Sequence, residues 1–262
     1  MLYDFHDRVV LITGASGGIG RVLARRYAQC GASLVLAARR QHELEDTGRL
    51  VTDAGGKAMV RVTDIRVEDQ CHLLVHDAVA RFGRLDVLVN NAAVPGRDEA
   101  IVDATVENWH DTIATNLLAP MVLAREALRQ AMVPAASGNI QFLSSAAAKA
   151  VHPRKAHYAV AKMGLLPLAQ TLAIEVGPLG IRVNTLVVGG VAGELIDRYV
   201  TRIGDEEGVE PDVVRTRIAA GAALKRLVLP EEVADVSLWL ASEASSAITG
   251  QNINVTAGGE KR

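Results

Sequence analysis

The chain has 262 residues, of which 49% are hydrophobic, 22% charged and 3% aromatic, with a formal net charge of -2 at pH 7. These proportions supply a sizeable core and exclude a disordered chain, and a near-neutral balance without a long run of one sign excludes a nucleic-acid or membrane surface. Two cysteines, Cys30 and Cys71, with no C-x-x-C spacing, exclude a disulfide framework. The opening MLYDFHDRVVLITG carries acidic residues where a secretory signal would be basic, and its short apolar run leads straight into glycines. It is therefore expected to be a first strand in a cytoplasmic protein. No apolar stretch is expected to be long enough to span a bilayer.

In chain order, RVVLITG (8–14) reads as a strand and GGIGRVLARRYAQCG (17–31) as a helix closed by Gly31. The turn between them, TGASGGIG, places Gly14, Ser16, Gly17, Gly18, Ile19 and Gly20 at a strand-to-helix junction. Gly14 permits a tight turn, Gly18 lets the backbone approach a pyrophosphate, and Gly20 lets the helix pack close to the sheet. Free N–H groups and the helix dipole favour phosphate there. ASLVLAARR (32–40) is the second strand. Its end carries Ala38, Arg39 and Arg40 where an acidic residue would bond the ribose hydroxyls of NAD. A guanidinium suits a 2′-phosphate; the plainer reading is two arginines solvating a loop.

HELEDTGRLVTDAGG (42–56) is a helix, KAMVRVTDI (57–65) a third strand and VEDQCHLLVHDAVARFG (67–83) a third helix. Asp64, with Ile65 beside it, either accepts an adenine amino group or favours the helix dipole. His72 and His76 share a helix face with Cys71 nearby, but no further ligands cluster there, so no metal site is expected. RLDVLVNNAA (84–93) is a fourth strand, ending in Asn90, Asn91, Ala92 and Ala93, which suit a backbone-lined cofactor wall or a plain polar turn. A long helix is expected over about 108–133. Within it, Asn116 is a poor helix former among apolar neighbours, holding either a kink and a water or a core hydrogen bond.

GNIQFLSS (138–145) is a fifth strand, with Ser144 and Ser145 expected to face the cleft. A helix follows over about 157–177, with Tyr158 and Lys162 on one face at i and i+4. An unperturbed phenol, pKa ~10, is useless as a base at neutral pH, and a nearby ammonium favours its ionised form. Ser145, thirteen residues before Tyr158, can bond the substrate oxygen while Tyr158 exchanges its proton. His157 is expected to point elsewhere. GIRVNTLVVGG (180–190) is a sixth strand, 191–227 is less regular, a short helix starts at Pro230, and QNINVTAGG (251–259) is a last strand. This alternation predicts one α/β domain over 1–262, a doubly wound, mostly parallel seven-stranded sheet with helices on both faces and ligands at the strands' carboxyl ends.

TGASGGIG, NNAA, Asn116, Ser145, YAVAK, IRVN and the closing PEEVADVSLWLAS, ITGQNINV and GG together resemble the short-chain dehydrogenase/reductase family, single-domain type, over nearly the whole chain. The resemblance implies a catalytic tetrad of Asn116, Ser145, Tyr158 and Lys162. Lys162 and Tyr158 would also contact the nicotinamide ribose, Asn116 would order a relay water, and Gly189 and Val191 would line the nicotinamide. It implies hydride transfer between NADP(H), with NAD(H) as the alternative, and a ketone or secondary alcohol, in a homotetramer whose helices 108–133 and 157–177 pair across a two-fold axis. An NAD-dependent polyol or hydroxy-compound dehydrogenase is the rival within enzymes, and a nucleotide sensor without turnover the rival outside them. The chain departs from the family pattern at Ala93 (usually Gly), Val188 (usually Pro before Gly189), Gly193 (often Thr) and Ala148 (commonly Gly). These departures leave the tetrad intact. The segment 190–227 is expected to cover the substrate.

Overall fold

The computed structural model describes residues 3–259; the ends of the expected 1–262 span, residues 1–2 and 260–262, lie outside them. Seven strands form one sheet: β1 (Val9–Thr13), β2 (Ser33–Ala38), β3 (Lys57–Val62), β4 (Val87–Asn90), β5 (Gly138–Ser145), β6 (Ile181–Val188) and β7 (Asn252–Val255). Their order is β3-β2-β1-β4-β5-β6-β7 and every pairing is parallel. The central strands are continuous apolar runs because both faces are covered, whereas the edge strand β3 is partly exposed and carries Lys57 and Arg61. The chain winds outward from β1 to β3 and then crosses to β4, which makes the crevice between β1 and β4 the switch point.

One face is covered by α1 (Gly18–Gln29), α2 (Gln41–Asp53) and α10 (Pro230–Ala241), with Leu23, Tyr27, Leu44 and Leu238 in its core. The other is covered by α3 (Glu68–Phe82), a long helical run over 106–135 and α7 (Ala156–Val176). The run at 106–135 contains α4 (Val106–Ile113), a π turn at Ala114–Leu118, α5 (Ala119–Ala127), a second π turn at Leu128–Met132 and α6 (Val133–Ala135). It starts two residues earlier than its sequence pattern suggests, where Thr105 caps it by accepting the Asn108 N–H, and it ends two residues later.

The expectation that no apolar stretch could span a bilayer is corrected by length and composition. The helical stretch Ala156–Leu179 has a mean hydropathy of 1.3 and passes that test. One side of it packs on the sheet: Leu165, Ala169, Ala173 and Val176 belong to the core beneath β5 and β6. The irregular stretch at 191–227 resolves into α8 (Glu194–Glu207) and α9 (Pro211–Ala220), followed by a bridge from Val228 to Val191.

Candidate active site

The glycine turn joins β1 to α1. Gly14 has φ +67°, a left-handed conformation that costs glycine little. A Cβ on Gly20 would lie 2.3 Å from the Gly14 carbonyl oxygen, so only glycine lets α1 approach this closely. The α1 N-terminus has no side-chain cap, and a Cβ on Gly18 would meet nothing within 4 Å. Open space faces uncapped N–H groups, which is the cradle a pyrophosphate needs. Ile19 packs partly into the core beneath it.

The turn is tied to β4 by a residue the sequence reading missed. Thr13 Oγ1 accepts the N–H groups of Asn91 and Ala92 at 3.1 and 3.0 Å, and the Asn91 amide donates to Thr13 O at 2.8 Å. Asn91 therefore spends its amide on fixing the loop, and Ala92 packs against the core. Ala93 follows on the same loop, past the end of β4. Gly189 lies past the end of β6, where a Cβ would press on Thr256 at 2.9 Å, and Val191 pairs with Val228.

At the end of β2 the two arginines part company. Arg40 donates to Glu43 at 3.1 Å and to Ser16 Oγ at 3.2 Å, so it folds onto the glycine turn. Arg39 is exposed, and its charge acts on Asp64 only through space. Asp64 itself is engaged by Arg66, whose Nε donates at 3.0 Å and Nη2 at 2.6 Å, which holds the carboxyl below its usual range. Ile65 is buried beside it. His72 contacts Glu126 at 3.0 Å, and no group of three metal ligands exists among the described residues.

Ser145, at the last position of β5, stands beside the Tyr158 phenol and acts to lower its pKa, and its Oγ accepts the Ala147 N–H at 3.2 Å. Ser144 does not share this role. Neighbouring strand residues face opposite ways, and Ser144 is buried with its hydroxyl donating to Lys162 O at 2.8 Å. Lys162 is 3% exposed, its Nζ donating to Leu143 O at 2.7 Å and lying 6.0 Å from the Tyr158 ring centroid. His157 turns away: its Nε2 donates to Pro95 O at 3.3 Å and its ring packs edge-on to Trp109.

Asn116 is fully buried on the first π turn, and both ends of its amide are used. Oδ1 accepts the Val94 N–H at 2.9 Å and Nδ2 donates to Val94 O at 2.8 Å. Asn108 does the same for Arg97, at 2.9 and 3.0 Å. Two asparagines thus clamp the loop after β4. The side chain of Asn116 serves that clamp, which leaves relay water to bond other atoms.

The charge states differ from the sequence expectation. Burial raises the Tyr158 phenol above its ordinary pKa, opposed by the neighbouring Ser145 hydroxyl. Burial also lowers the Lys162 ammonium, to about 8. Near pH 7 the phenol is protonated and the ammonium still mostly charged, a state suited to donating a proton.

The family model described as Enoyl-(Acyl carrier protein) reductase matches residues 14–260. The short chain dehydrogenase/reductase astE of Aspergillus oryzae is 33% identical over 98% of this chain and 96% of that protein. The chain belongs to the short-chain dehydrogenase/reductase family. Among solved structures, a variant of actinorhodin polyketide ketoreductase with NADPH has a TM-score of 0.93 and 31% identity, over 97% of this chain and 98% of that one. NAD+-bound xylitol dehydrogenase has a TM-score of 0.91 and 26% identity, over 97% and 99%. This short-chain dehydrogenase/reductase is accordingly an oxidoreductase acting on hydroxyl or carbonyl groups with NAD(P). The uncapped cradle at α1 fits the cofactor's pyrophosphate.

Proposed function

We propose that the protein is an NADP(H)-dependent ketoreductase, moving a hydride between the nicotinamide and the carbon of a ketone or secondary alcohol. The observation that carries this reading is the Ser145–Tyr158–Lys162 group at the carboxyl end of β5, the same end of the sheet as the glycine cradle. When bound, the reduced nicotinamide supplies the hydride. Ser145 holds the carbonyl oxygen, Tyr158 gives it the proton, and Lys162 supplies positive charge beneath the phenol as its proton leaves. Asn116 keeps the loop after β4 in place. The protonated phenol favours reduction at neutral pH, and oxidation gains as pH rises.

NADP(H) is favoured by Ala38 and Arg39: no carboxylate repels a 2′-phosphate at the end of β2, and Arg39 is an exposed cation there. The ketoreductase relative was solved with NADPH and the xylitol dehydrogenase with NAD+, so this choice turns on local residues. A charge-assisted hydrogen bond contributes about 1.5–3 kcal/mol, and ~1.4 kcal/mol is tenfold in affinity. Fluorescence titration should show NADPH binding at least ~10-fold tighter than NADH. Arg39→Ala should remove most of that gap by weakening NADPH alone. Equal affinities in the wild type, or tighter NADH, would transfer the assignment to an NAD-dependent dehydrogenase of polyols or other hydroxy compounds.

The reading extends to assembly and place. Leu118, Val160, Met163 and Ile174 leave an apolar surface exposed on the helices at 106–135 and 156–176. We propose that a second copy covers it and that the protein is a homotetramer. Light scattering at micromolar concentration should give the mass of four chains, and a clean monomer would refute this. Cys30 and Cys71 are both free thiols, in keeping with the cytoplasmic location we propose.

A further inference from the structure

The helices α8 and α9 stand apart in how they are tied to the rest of the molecule. Their internal ion pairs are several: Arg198 with Glu194, Arg215 with Asp197 and Arg217 with Glu207. Among the described residues, a single salt bridge joins either helix to the first 193 residues. Arg202 Nη2 donates to Asp98 Oδ2 at 2.7 Å.

Asp98 sits on the loop after β4. Its other carboxylate oxygen pairs with Lys155, which immediately precedes α7 and stands three residues before Tyr158. The side chains of Asp98 and Lys155 are only 20% and 18% exposed. An isolated surface pair contributes little, but a carboxylate shared by two cations and largely removed from water is a different case. The partners on each side are held in place. The Arg154 guanidinium donates to Asp98 O at 3.0 Å, the Glu99 N–H donates to Arg154 O at 3.1 Å, and Lys155 Nζ donates to Pro95 O at 3.3 Å. Arg202 is itself braced by Glu206 at 2.6 Å and by the Tyr199 ring at 5.4 Å. The loop is thus fixed to the start of α7 without Arg202, and among the described residues Arg202 supplies the one ionic tie across to α8, beside the apolar packing of Val200 and Val214.

We propose that Asp98 and Arg202 are positioning residues that latch the lobe of α8 and α9 to the catalytic helix, closing one end of the substrate cleft. This rests on the reading of 190–227 as the segment that covers the substrate. It also distinguishes the two ends of the latch: losing Arg202 frees the lobe alone, whereas losing the Asp98 charge also loosens Lys155. Neither residue touches the reacting atoms, so the effect falls on substrate retention rather than on the chemical step.

The test uses the full-length enzyme, NADPH and the ketone it reduces fastest in a panel, with Arg202→Met, Asp98→Asn and the double variant. Amide hydrogen exchange over 194–220 should quicken about tenfold in Arg202→Met while exchange over 138–176 stays as in the wild type. KM for the ketone should rise about fivefold, with kcat and NADPH affinity held. The double variant should match Asp98→Asn, since both changes break one interaction. Unchanged exchange over 194–220, or fully additive effects in the double variant, would overturn the latch. Faster exchange with an unchanged KM would overturn the positioning role and place the fault in the assignment of this lobe to the substrate, leaving the Tyr158 chemistry untouched.

Discussion

Replacing Tyr158 with phenylalanine is expected to lower kcat by ~10²–10⁴-fold, the usual contribution of a positioned proton donor, while NADPH affinity changes by less than about twofold. The phenyl ring keeps the volume and packing of the half-buried side chain, so the fold is retained. Ser145 keeps an anchor when the phenol goes, because its Oγ still accepts the Ala147 N–H at 3.2 Å. Only the exchangeable proton disappears. The pH profile carries the same information. Burial raises the phenol's pKa, so wild-type reduction should hold through neutrality and fall at alkaline pH, while alcohol oxidation climbs over the same range. Both limbs should vanish in the phenylalanine variant. Steady-state kinetics in both directions between pH 6 and about 10 would show this. A variant with near-native kcat would remove Tyr158 from the mechanism.

Replacing Lys162 with methionine should abolish activity and yet stabilise the protein. Lys162 is 3% exposed with a pKa lowered to about 8 by burial, and its one hydrogen-bond partner is the neutral Leu143 carbonyl. An unfolded lysine titrates near ~10.4. Below about 8 both states are protonated, and the native state bears the full cost of the buried charge, ~3 kcal/mol at ~1.4 kcal/mol per pKa unit. Between those two values the unfolded chain holds more protons than the folded one, so wild-type stability rises with pH as the native lysine sheds its charge. Methionine removes the cost but leaves the Leu143 carbonyl without a donor, which returns about 1–2 kcal/mol. A net gain of about 1–2 kcal/mol is expected at pH 7, shrinking above pH ~8. Urea unfolding of both proteins at pH 7 and pH 10 would measure it. A variant less stable than the wild type at pH 7 would mean that the ammonium's hydrogen bond outweighs its desolvation.

The fold was legible because its main determinants are local. Apolar runs such as VVLIT and IRVNTLVV, separated by amphipathic helices, leave few alternatives to a parallel sheet covered on both sides. The glycines were legible for the same reason: Gly14 and Gly20 are dictated by backbone conformation and close approach. What escaped depends on partners distant in sequence. Thr13 ends an ordinary strand, and its role appears only once β4 brings Asn91 and Ala92 beside it. Asn108 clamps Arg97 as Asn116 clamps Val94, and a second polar residue eight positions earlier on the same helix was the available clue. Asp98 gives no local signal at all, because its partners lie just before α7 and on α8. Ser144 was misassigned although strand alternation already separates it from Ser145. The depressed phenol inferred from Tyr158 and Lys162 failed on burial, which sequence spacing does not report.

The hydride itself offers the most direct measurement. NADPH dideuterated at nicotinamide C4 would be incubated with a panel of cyclic and acyclic ketones, and the alcohols analysed by mass spectrometry. The expected result is an alcohol from the wild-type enzyme carrying one deuterium on the carbinol carbon, with only a trace of the same alcohol from Tyr158→Phe. An alcohol formed without deuterium, or the same labelled yield from Tyr158→Phe as from the wild type, would contradict carbonyl reduction through Tyr158.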